Sequence, residues 1–156
     1  MNILSLDMAT KTGWAFKYSG NLKFGNNAGR IYSGIKDFAK ARGESPGMIF
    51  LRFRKWLNEF LIPEEKILIV HEQAHHRGGA ATALCSGLIA EAQAFAAEHG
   101  FEILPVHSAT LKKFATGSGR AEKGAMIQAA KFFGFNPKDD NEADAIHLLR
   151  YALQEV

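Results

Sequence analysis

The opening residues MNILSLD constrain the fold most. Ile3, Leu4 and Leu6 are apolar, Ser5 is small, and Asp7 closes the run. Such a run reads as a short buried strand. Lys11-Thr12-Gly13 and the apolar residues behind it read as a tight turn and a returning strand. An ionised acid at the exit of a buried strand is costly without a partner. A divalent cation is one partner, and capping the turn is the competing role.

The same signature recurs once. ILIV, residues 67–70, is a continuous run suited to a strand buried on both faces, and it ends in His71-Glu72-Gln73. A long helix over about 80–98 follows, rich in small residues, and His99-Gly100 ends it. FEILPV, 101–106, is then a strand parallel to the previous one by the crossover rule. Upstream, 2–7 and 13–18 are expected to form a hairpin, and Phe24 with the run Arg30–Ser33 to supply a third, antiparallel strand. Residues 35–45 read as a polar loop. Ser45-Pro46 starts a helix with Ile49, Phe53, Trp56, Leu57 and Phe60 on one face. Downstream, a short helix opens at His107-Ser108. A second spans 122–133, with Met126, Ile127, Ala130 and Phe133 on one side. The last begins near Asp139 or Asp140 and buries Ala143, Ile146, Leu149 and Leu153. This order predicts an α/β fold: a mixed five-stranded sheet flanked by helices.

At 156 residues, 47% hydrophobic and 22% charged, the chain is expected to be one domain over 1–156 with an ordinary core. The single Cys85 fits a reducing compartment. No apolar run approaches the ~18 residues of a membrane span, and no secretory signal is evident, so no membrane partner and a cytoplasmic location are expected. The net charge of +3 is compatible with a polyanionic partner.

A third acid, Asp144, lies in DDNEADAIHLL. Asp139 and Asp140 suit the positive end of the last helix, and Glu142 is expected to be solvated. Asp144 has apolar neighbours and is expected on the buried side, where it needs a counter-charge. Asn141, Asp140 and His147 share its helical face. Hard oxygen ligands from several elements suit Mg²⁺ or Mn²⁺. Two such ions about 3.5–4 Å apart serve phosphodiester cleavage. Lys112, Lys113, Arg120 and Lys123 gather around a glycine-containing loop before a helix, a pattern that suits phosphate contact as well as a solvated basic face. His75, His76 and Arg77 follow the second acid. They read as a DNA-contacting loop or a plain polar one, and lack further ligands for zinc.

Together the blocks ILSLDMATKTGWA, ILIVHEQ, LKKFATGSGRAEKGAMIQAAKFFGF and DNEADAIHLL resemble the RuvC-type Holliday-junction resolvases, particularly the short phage and prophage forms. The resemblance covers nearly the whole chain. It implies an RNase H-like fold, a homodimer, and cleavage of four-way DNA junctions with Mg²⁺ or Mn²⁺, two ions per site. It implies Asp7, Glu72 and Asp144 as catalytic acids and metal ligands. It also implies a fourth ligand three residues before the last acid; that position is Asn141, whose carbonyl oxygen can ligate, or Asp140 takes over. Lys112 and Lys123 match the family's basic positions, with Lys123 counted among the catalytic residues. The helix at 80–98 would form much of the dimer interface. The expected activity is that of a crossover junction endodeoxyribonuclease in a bacterial or phage-infected cell. The alternatives are a junction-binding protein with little cleavage, and a broader RNase H-like nuclease on branched DNA or hybrids.

Overall fold

The computed structural model describes residues 1–20, 29–74 and 78–155. Five strands, β1 (Asn2–Asp7), β2 (Lys11–Lys17), β3 (Ile31–Asp37), β4 (Ile67–Glu72) and β5 (Glu102–Val106), form one mixed sheet in the order β3-β2-β1-β4-β5. The pairings β1–β2 and β2–β3 are antiparallel, whereas β1–β4 and β4–β5 are parallel. The helices are α1 (Gly47–Leu57), α2 (Ala80–His99), α3 (Ser108–Thr116), α4 (Lys123–Phe132) and α5 (Asp140–Glu155), with a 3₁₀ turn at Asn58–Phe60.

Strand alternation sorts the core onto two faces. Leu4, Leu6, Ile67 and Ile69 face α1 and α2, where Phe38, Phe53, Trp56, Leu88 and Phe95 pack. Ile3, Leu68 and Val70 face α3, α4 and α5, where they meet Leu111, Met126, Ala145 and Ile146. The same alternation puts Ser5 and Asp7 of β1, and Glu72 of β4, on the α5 side.

Several expectations are corrected. Lys11, Thr12 and Gly13 lie within β2, and Gly13 pairs with Asp7, so the turn is Met8–Thr10. The Thr12 hydroxyl closes it by donating to the Ala9 carbonyl at 2.7 Å. Ile35, Lys36 and Asp37 are strand, because the edge strand β3 pairs with β2 along its whole length and can expose polar residues. Glu142 is buried: it accepts from the Ser33 hydroxyl at 2.7 Å and from the Lys138 amide at 2.8 Å. Leu153 is exposed and Phe133 half-exposed, since both lie at helix ends beyond the packed stretch. By length and composition α2 is long and apolar enough to cross a membrane, an apolarity carried largely by alanines rather than by an unbroken run of large residues. Its inner face is a core face, burying Leu88, Ile89, Ala92, Phe95 and Ala96. The third-strand position of Phe24 lies outside the described residues.

Candidate active site

Two parallel strands that end together bring the first two acids together. Leu6 pairs with His71 across β1 and β4, so Asp7 and Glu72 leave the sheet side by side and on one face. The N-terminal part of α5 lies over that point. Two small residues allow it so close. The Ser5 hydroxyl, in the middle of β1, donates to the Ala145 carbonyl at 2.6 Å. Gly13 of β2 lies directly under the first turn of α5; a Cβ there would stand 1.9 Å from the Asn141 carbonyl oxygen. A third tie joins the Asn141 side-chain amide, as donor, to the Lys11 carbonyl at 2.8 Å. The Asp139 carboxylate caps the helix by accepting from the Glu142 amide at 2.9 Å.

The result is an electrostatically loaded site. Burial pushes the Asp7 carboxyl well above its ordinary value, and Asp144, Glu72, Asp140 and Asp139 push it the same way. Asp144 is raised to about 7, first by burial and then by Glu72 and Asp140, while Lys112 and Lys123 pull it back. The Asp144 Oδ1 atom is buried and accepts no hydrogen bond among the described residues. Lys123, largely exposed, is paired with Asp140 at 3.1 Å, which raises the ammonium's pKa.

Asp7, Glu72, Asp144 and Asp140 therefore converge, with Lys112 and Lys123 at the rim. Asp140 lies one helical turn before Asp144 and shares its face. Asn141 has its amide committed to the strand beneath it. Lys113 and Arg120 are exposed on the α3–α4 surface. His147 turns away from the acids: its ring is buried, with Nε2 and the Met126 carbonyl at 2.9 Å. His75, His76 and Arg77 lie outside the described residues. Cys85 of α2 was not anticipated as a neighbour. Burial raises its thiol pKa, and Asp7 and Glu72 raise it further. A cleft of about 460 Å³ lined by Trp14, Phe16, Tyr32 and Phe60 belongs to the other, aromatic side and takes in none of the acids.

Four carboxylates crowded at partly buried positions, with one orphaned oxygen, form a donor set suited to a hard divalent cation. Among the described residues no three His, Cys, Asp or Glu side chains stand close enough to hold one ion as placed. The charge and donor chemistry fit such an ion, which Asp7, Glu72, Asp144 and Asp140 would hold.

No family model and no curated protein matches the chain. Solved structures do. RuvC of Thermus thermophilus superposes with a TM-score of 0.70 at 17% identity, over 99% of this chain and 96% of that one. The fold is RNase H-like, in the form that RuvC has. T. thermophilus RuvC in complex with a Holliday-junction substrate gives 0.65 at 16% identity, with 99% and 96% coverage. The yeast mitochondrial Holliday junction resolvase Ydc2 gives 0.56 at 11% identity, covering 94% of this chain and 75% of that one.

Proposed function

We propose that the chain is a metal-dependent endonuclease that resolves four-way DNA junctions. The observation that carries this is the convergence of Asp7, Glu72, Asp144 and Asp140 from two strands and a helix, flanked by two lysines. The likeness to RuvC structures, one of them holding a junction, supports the choice of substrate. Asp7, Glu72, Asp144 and Asp140 would hold two Mg²⁺ or Mn²⁺ ions; Asn141 would act through its grip on β2. Bound there, the ions would activate water and stabilise the leaving oxygen.

The chain's own residues do the rest. The carboxylates must be ionised to bind cations, so the raised pKa values of Asp7 and Asp144 set a proton–metal competition. Lys112 and Lys123 favour the ionised form of Asp144. They also offset repulsion between the acids and an incoming phosphate, which breaks one P–O bond on adding water. Lys113 and Arg120, exposed beside them, and His75, His76 and Arg77 extend the contact to the arms. Symmetric cutting needs two sites, hence a homodimer. The outward face of α2, with Ala83, Ser86, Ala90, Ala94 and Ala97 exposed, is the surface we assign to it. The setting is the DNA-containing cytoplasm of a bacterial or phage-infected cell.

Binding without cleavage is the second reading, favoured by Asn141 standing three residues before Asp144, where the resemblance implies an acidic ligand. Incubation with labelled four-way junction, flap, duplex and RNA–DNA hybrid, in Mg²⁺, Mn²⁺ and EDTA, separates the readings. Junction cleavage in Mg²⁺ or Mn²⁺ that stops in EDTA is expected. Tight binding with no cleavage in any ion would favour the second.

A further inference from the structure

The α3–α4 layer carries more than the rim of the acidic site. Residues 108–138 hold six Lys or Arg and one acid, so the rest of the chain is net negative. At the far end of α4, roughly 15 Å from Lys123 by helix rise, stand two phenylalanines. Phe132 is 85% exposed and Phe133 49% exposed. Their rings meet edge to face at 5.3 Å. The inner ring is fixed: the Arg150 guanidinium lies 3.3 Å from the Phe133 centroid and 5.3 Å from that of Phe114. Arg150 is itself held, 2.9 Å from His147 Nδ1. Phe133 is thus a braced platform, and Phe132 projects from it beside the exposed Lys131.

A solvated helix end has no use for such a ring, and the charges around it select the partner. Covering Phe132 with an apolar protein face would strip water from Lys131, which a dry interface penalises. Nucleic acid offers both things the patch lacks: a flat π-face for the ring and phosphates for the cations. We propose that Phe132 stacks on an unstacked nucleotide of the DNA substrate, with Lys131 on the adjacent phosphate. This rests on the proposed action on branched DNA and adds a recognition site at the opposite end of α4 from the acids. In a fully paired duplex the base faces are covered, so the contact selects DNA with unpaired or frayed positions.

The test measures affinities in EDTA, where no cleavage occurs. The full chain, Phe132→Ala and Phe132→Tyr are titrated against a four-way junction, a single-stranded oligonucleotide and a blunt duplex. Sedimentation gives the mass of each protein. Phe132→Ala should bind junction and single strand about tenfold more weakly, Tyr should restore binding, and duplex affinity should barely move. Equal binding by Phe132→Ala and the wild type would overturn the proposal and leave the nuclease reading intact. So would an equal loss on blunt duplex. A change of mass in Phe132→Ala would assign the ring to a second copy instead. Failure of the wild type to bind any DNA would remove both readings.

Discussion

The two faces of the sheet are built from opposite materials. Toward α1 and α2 the filling is aromatic: Trp56 meets Phe60 at 5.0 Å, Phe38 at 5.4 Å and Trp14 at 6.3 Å. Toward α5 the sheet offers Ser5, Gly13 and Ala15, residues chosen for what they leave out. Large rings fill the space under α1 and α2 and bury apolar area, which stabilises that face. Small residues let a helix descend until its backbone touches the strands. That descent brings Asp144 and Asp140 to Asp7 and Glu72. Both faces bury apolar side chains, but only the α5 face also crowds like charges at its edge.

The contrast can be broken in descending order of effect. Trp56→Ala should cost about 3–5 kcal/mol of stability, read by denaturant unfolding. Below its transition the folded fraction should cleave as the wild type does. Loss of cleavage without loss of stability would refute the division. Gly13→Ala should cost about 2–3 kcal/mol by overpacking against Asn141, and cleavage should fall by more than tenfold even where the protein is folded.

Removal of metal has a signed pH dependence. The folded-state values of Asp7 and Asp144 are raised, so the folded state holds protons that the unfolded state has released. For Asp144 the effect spans the window from its ordinary 3.8 to about 7. Below that window no penalty exists; stability falls as pH rises through it. The loss should be on the order of 2 kcal/mol, allowing for solvent at Asp144. In EDTA the midpoint should drop between pH 5 and pH 8, and Mg²⁺ or Mn²⁺ should restore it at pH 8. A flat profile would mean that Asp7 and Asp144 are neither desolvated nor crowded by the other acids. Ser5→Ala, the smallest change, should cost about 1 kcal/mol for its hydrogen bond to Ala145. A several-fold drop in cleavage should accompany it.

How far the sequence revealed this division follows from the type of signal. MNILSLD and ILIVHEQ are legible because short, largely apolar runs of strand length bounded by polar residues suit buried strands, and a carboxylate at the end of each marks an exit. The helices are legible from periodicity and from Ser45-Pro46, Gly100 and Gly134. The start of β2 is not, because Lys11-Thr12-Gly13 has turn composition; Gly13 is there to admit α5. Nor is the reach of β3, a polar edge strand. Glu142 looks solvated in a run of acids, and only the fold brings Ser33 and the Lys138 amide to it. The choice between Asp140 and Asn141 is equally invisible, since both spacings share a face with Asp144. The structure adds that the backbone of β2 takes the Asn141 side-chain NH2 as donor.

On the proposed function, the crowded acids would hold the metal for DNA cleavage. The most direct test of this is cleavage of an end-labelled four-way junction in Mn²⁺ by the wild type and by Asp7→Asn. Folding is checked by unfolding at pH 8, where the variant should be the more stable protein, being relieved of a repelling charge. Cleavage by the wild type and none by Asp7→Asn is the predicted result. Undiminished cleavage by a folded Asp7→Asn would contradict the account.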